Sequence, residues 1–140
     1  MKLANLSFSD LFVGLSRKIS KKVALSDIDF FSNLTSDFHP LHTNRKYAEE
    51  SGYADVIAHG LLVSSYSSAL IGMQLPGRKA LIISSQFEYK QPCYPGDSLS
   101  IVGTVSELDD RFSRMIAKVE IKNQKNKLVA LGHYGVIIRK

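Results

Sequence analysis

Asp37 and His42 are the residues around which chemistry could be built. They bracket the segment Asp37-Phe38-His39-Pro40-Leu41-His42, so one short loop can bring a carboxylate and an imidazole onto a single proton-transfer path. Further on, Ala58-His59-Gly60 leads into a mostly apolar stretch. A glycine at a helix start could bind a developing negative charge through its backbone N–H, beside that acid/base pair. Plainer readings of the same residues stay open at this point. Asp37 could be a loop carboxylate bonding its own backbone, and His42 a partly buried histidine held by a carbonyl. His59 reads first as a residue that fixes the loop before the helix, and His133 as a structural strand residue. Asp37, His39 and His42 are all possible metal ligands, but Pro40 among them argues against a metal site. The lone Cys93 stands in a turn with no base near it in sequence, which argues against a nucleophile.

Elements must hold these groups from both sides. Ser26 reads as an N-cap with Asp29 as its capping-box partner. Ile28, Phe31 and Leu34 follow at helical spacing and predict a helix over Asp27 to Thr35. Pro40 disfavours helix at His39, so Asp37 to His42 is expected to be an irregular loop. Thr43 or Asn44 caps a second short helix, Arg45 to Ser51, which Gly52 ends. Gly60 to Gln74 is expected to be one long helix, apolar on more than one face and therefore buried. Strands are expected over Ser16 to Leu25, Lys79 to Gln91, Ser98 to Leu108, Phe112 to Lys122 and Lys127 to Arg139. Tight turns between the last four make the sheet antiparallel. It can curl around the single helix, giving an α+β fold.

Bulk composition narrows the function classes. The 140 residues suit one domain with its own core, and 44% hydrophobic with 22% charged residues is ordinary for a soluble protein. No apolar run reaches the roughly 18 residues of a membrane span, and Met1 to Leu15 has no signal-peptide layout. A single cysteine excludes an internal disulfide and suits a reducing, cytoplasmic setting. The net charge is +5, with lysines gathered at 17–22 and 122–127. Neither run is interleaved with exposed aromatics or set on a recognition helix, so nucleic acid is not the expected partner. A basic surface of this kind favours a phosphate-bearing ligand.

A long antiparallel sheet wrapped on one buried helix is the hotdog architecture, and the motifs agree with it. Phe31-Ser32-Asn33-Leu34-Thr35-Ser36-Asp37-Phe38-His39-Pro40-Leu41-His42, with Ala48 downstream, resembles the motif of the (R)-specific enoyl-CoA hydratases, or MaoC-like dehydratases. Ile57-Ala58-His59-Gly60-Leu61-Leu62, Leu75-Pro76-Gly77 and the segment from Phe87 through Pro92 to Gly96-Asp97 extend the resemblance. It runs from about Asp10 to Ile138. Two positions depart from the family: Ser36 stands where Gly or Glu is common, and His39 where Asn is usual. The second bears on pocket size and substrate scope.

The resemblance implies a reversible hydration of a trans-2-enoyl thioester. His42 is implied as the base that activates water, Asp37 as the group that completes proton delivery to C2, and the Gly60 N–H as the donor to the thioester oxygen. His39, His59, Leu62 and Ser68 are implied to contact substrate. Arg78, Lys79 and Lys90 flank the helix exit and the following strand and could reach coenzyme A phosphates, or be ordinary surface cations. No cofactor is expected beyond the carrier, coenzyme A or acyl carrier protein, and a homodimer or dimer of dimers is expected. Two rivals stay open. A hotdog thioesterase would want a carboxylate near the central helix, and Gly60 to Gln74 has none. An acyl-thioester-binding module without catalysis is the other.

Overall fold

The computed structural model describes all 140 residues. Its sheet is built from β1 (Ser16–Lys22), β2 (Ala80–Tyr89), β3 (Ser98–Asp109), β4 (Arg114–Lys122) and β5 (Leu128–Ile138). They lie in the order β1-β3-β4-β5-β2, and every neighbouring pair is antiparallel. Alternation sets the two faces. In β4, Met115, Ala117, Val119 and Ile121 are buried while their neighbours in the strand are only partly so. This buried row shares one core with the central helices.

Those helices are α4 (Gly60–Ser65) and α5 (Ser67–Met73), one rod interrupted at Tyr66, where a continuous helix was expected. The serines account for the interruption. Ser64, Ser65 and Ser67 turn their hydroxyls back onto the carbonyls of Leu61, Leu62 and Ser64 at 3.1, 2.6 and 2.5 Å, competing with the backbone ladder. Leu62, Val63, Leu70 and Ile71 still face the core. The rod lies close on the sheet at Gly103, where an added Cβ would stand 2.5 Å from Leu70 Cδ2.

The shorter helices frame the far side. α1 (Leu25–Thr35) begins two residues before the expected start, because Asp27 rather than Asp29 takes a free backbone N–H, that of Ala24, at 3.3 Å. The segment after Asp37 is not wholly irregular: Pro40–Thr43 forms a single turn, α2, followed by α3 (Arg45–Glu50) capped by Asn44. β1 stops at Lys22, short of Leu25, because α1 starts early. These elements give the hotdog arrangement. No helix is long and apolar enough to cross a membrane.

Candidate active site

The site begins where α1 ends. Ser36 adopts a left-handed φ of 63°, which turns the chain out of the helix and sets Asp37 on the following loop. Asp37 Oδ1 accepts the His39 N–H at 3.2 Å, so the carboxylate partly organises its own turn. His39 then caps α2: its Nδ1 accepts the Leu41 N–H at 3.2 Å, and Pro40 occupies a helix position where no N–H is needed. One turn later His42 is fixed from outside the helix. Its Nδ1 lies 2.7 Å from the Ile57 carbonyl oxygen, while Ile57 N–H returns a bond to Leu41 O at 3.0 Å. A carbonyl only accepts, so we assign the His42 proton to Nδ1 and a free lone pair to Nε2.

His59 closes the group from beneath. It is 3% exposed and stacks on His42 with ring centroids 3.8 Å apart and planes 25° from parallel. Its Nε2 reaches Ser32 Oγ at 3.1 Å and the Asp37 carbonyl at 3.2 Å, and Phe31 lies 4.8 Å away on another side. Burial pushes the His59 imidazole below its ordinary pKa. The Asp37 carbonyl and carboxylate pull it back up, and nearby His42 pushes it further down.

Asp37, His42 and His59 each offer one atom within 4.8 Å of the others. That spacing invites a metal, but the stacking does not suit one. Near-parallel rings aim their lone pairs side by side, whereas an ion needs them to converge at about 2 Å. His39, which with Asp37 and His42 offered a possible ligand set in the sequence, uses Nδ1 as a cap.

A cleft of about 370 Å³ opens beside His42, walled by Ile57, Gly60, Val63, Tyr89, Lys90 and Cys93 among others. Gly60 is the first residue of α4, where backbone N–H groups have no intrahelical acceptor. An added Cβ there would stand 3.0 Å from the Tyr89 ring, which would have to give by a few tenths of an ångström. Tyr89 is held in turn by its hydroxyl, which donates to Ser64 Oγ at 3.0 Å. Burial, with Asp97 nearby, pushes the Cys93 thiol up to about 12, so this wall is unreactive.

The remaining expected residues are scattered. Leu62 is buried in the core, and Ser68 is exposed on α5 outside the cleft. Lys90 lines the cleft, but Arg78 and Lys79 precede β2 at its opposite end. Tyr53, Val63, Tyr89 and Val129 line the cleft without having been singled out. The one available hint was Gly60, whose bareness makes room for a ring that arrives from β2.

Known proteins match both the chain and its fold. A family model described as the MaoC-like domain matches residues 14–127. An (R)-specific enoyl-CoA hydratase of Rhodospirillum rubrum is 35% identical over 101 residues, 72% of this chain and 70% of that one. A 3-hydroxybutyryl-CoA dehydratase of Methylorubrum extorquens is 35% identical over 107 residues, 76% of this chain and 68% of that one. An unliganded R-hydratase from Pseudomonas aeruginosa superposes with a TM-score of 0.92 at 25% identity, covering 99% of this chain and 88% of that one. The (R)-hydratase from A. caviae involved in PHA biosynthesis gives 0.87 at 28% identity, covering 91% and 97%. With the sheet wrapped on its central helix and Asp37 beside His42, the chain belongs to the MaoC-like dehydratase family, whose matched members are named as hydratases and dehydratases.

Proposed function

We propose that this protein is a hydro-lyase that reversibly adds water to a trans-2-enoyl thioester, forming the (R)-3-hydroxyacyl thioester. One observation carries the reading: the Nδ1 of His42 is engaged by the Ile57 carbonyl at 2.7 Å, which leaves Nε2 free as a base on a residue that lines the cleft, with Asp37 close by. Water loses a proton to His42 Nε2 as its oxygen bonds to C3. His42 passes that proton to the Asp37 carboxylate, which delivers it to C2 on the same face, so both groups end the cycle as they began. The thioester oxygen gains charge as C3 is attacked, and in this reading the Gly60 N–H donates to it. No cofactor is needed beyond the carrier, coenzyme A or acyl carrier protein. Burial of the single cysteine, Cys93, suits a cytoplasmic enzyme.

The active species in this reading is a homodimer paired through β2. In an antiparallel β2–β2 pair, the start of one strand lies beside the end of the other. That would bring the partner subunit's Arg78 and Lys79 toward the cleft mouth where Lys90 stands, joining three cations that a single chain keeps apart.

The test follows the enoyl chromophore of crotonyl-CoA and of longer enoyl thioesters, with a thiol reagent in parallel. Wild type consumes the chromophore without releasing thiol. Asp37→Asn and His42→Ala each lose about 10²–10⁴-fold in kcat, the range that general acid/base groups contribute. Thiol release would make the protein a thioesterase, and ligand retention without turnover would make it a binding module.

A further inference from the structure

We propose that His59 is a positioning residue for the acid/base pair. Its buried neutral ring is the platform on which His42 stacks, and its single N–H anchors the main chain at Asp37. The inference rests on the enoyl-thioester reading of the site and adds a residue to its machinery.

The argument starts from an apparent defect. His59 Nδ1 is buried and has no hydrogen-bond partner, which destabilises the fold. A phenyl ring would fill the same space without that burden, so the imidazole must supply something a phenyl ring cannot. Its Nε2 shows what that is. The Asp37 carbonyl 3.2 Å away can only accept, so we assign the proton to Nε2. Ser32 Oγ at 3.1 Å then shares it. The single N–H thus ties α1 and the Asp37 loop to the residue that opens α4, while the ring face carries His42 at 3.8 Å. One side chain touches both members of the pair, and neither contact is to a reacting atom.

Neutrality is the second requirement. The titratable groups facing His59 are His42 from α2 and the Asp37 carboxylate from the loop; Ser32 and Phe31 from α1 carry no charge. Burial and the neighbouring His42 both disfavour a charge on His59. A proton taken up by His42 therefore stays within the catalytic pair, and no second imidazole drains it.

Two substitutions separate the two contacts. His59→Phe keeps a ring beneath His42 and deletes the N–H, whereas His59→Gln keeps a donor near the Nε2 position and deletes the stack. Both are measured for melting temperature, for kcat and KM on crotonyl-CoA, and by long-range ¹⁵N–¹H spectra that report imidazole tautomers. The expected result is a kcat loss of about 10- to 100-fold in each folded variant, the scale of a misplaced catalytic group, with KM nearly unchanged. Wild-type spectra show His59 as the Nε2–H form and His42 as the Nδ1–H form. In His59→Gln the His42 ring loses its platform and can swing away from the Ile57 carbonyl that fixes its tautomer, so His42 populates both tautomers. Folded variants with wild-type kcat would overturn the proposal, as would a loss expressed wholly in KM, or wild-type His59 in the Nδ1–H form. If wild type turns over no enoyl thioester, the functional reading fails and the spectra alone decide: an unchanged His42 tautomer in His59→Gln refutes positioning, and a mixture supports it.

Discussion

At the scale of single residues, His59 couples the site to stability as well as to geometry. The folded protein disfavours its charge, whereas the unfolded chain protonates an ordinary histidine near pH 6.5. Below about that pH the unfolded state binds a proton that the folded state resists, so stability falls as pH falls. The slope approaches ~1.4 kcal/mol per pH unit until the folded group itself titrates. Urea midpoints between pH 7.5 and 5.5 should therefore drop more steeply for wild type than for His59→Phe; parallel slopes would show that His59 charges freely in the fold. Residues of this kind mark the limit of what the chain reveals when read in order. The grouping of Asp37, His42 and Gly60 was legible because all three stand within one stretch. The role of His59 was not, because Ser32 and the Asp37 carbonyl reach it across 27 and 22 positions. Tyr89 was hidden for the same reason: it matters through Gly60 and Ser64, which no spacing rule connects to it.

At the scale of elements, hydrophobic periodicity located the strands to within a few residues but overran the continuity of the central helix. Periodicity registers which face is apolar; it does not register hydroxyls competing for carbonyls, and three serines divide α4 from α5 at Tyr66. The same rod is held from outside by Tyr66, whose hydroxyl donates to Asp27 Oδ2 of α1 at 3.0 Å. It is held from below by its approach to β3. Gly103 makes that approach possible, since a Cβ would meet Leu70 Cδ2 at 2.5 Å and Leu75 Cδ2 at 3.7 Å. Gly103→Ala should cost about 1–3 kcal/mol, the range for overpacking a filled core. Leu70→Ala alone should cost about 2–5 kcal/mol through its cavity. The double variant should be markedly less unstable than the sum, because the added methyl enters the space the leucine vacates. Denaturant titration of the four proteins reads this directly. Strict additivity would mean that Gly103 and Leu70 do not press on each other.

At the scale of the whole molecule, the two edges of the sheet are built differently. β1 carries Arg17, Lys18, Lys21 and Lys22 among its seven residues, the pattern by which an edge strand discourages further pairing. β2 has no charged residue from Ala80 to Phe87, and it leaves Leu81, Ile82 and Ile83 51%, 38% and 53% exposed. Its backbone is bonded to β5 on one side only. An uncharged, apolar edge of this length is unstable in water as a free surface, and a second β2 related by a two-fold axis is self-complementary to it. Sedimentation at micromolar concentration should find wild type at twice the chain mass. Ile82→Lys with Ile83→Lys should give a monomer, because two buried cations would face their own copies across the axis. The monomer should keep its sheet signal by circular dichroism and lose most of its turnover. Arg78→Ala with Lys79→Ala should leave the dimer intact and raise KM for a coenzyme A thioester, since the proposed pairing would bring those residues to the neighbouring cleft. A monomeric wild type with full activity would remove the dimer from the mechanism. The cleft of one chain, with Lys90 as the only one of these three cations at its mouth, would then have to hold the carrier alone.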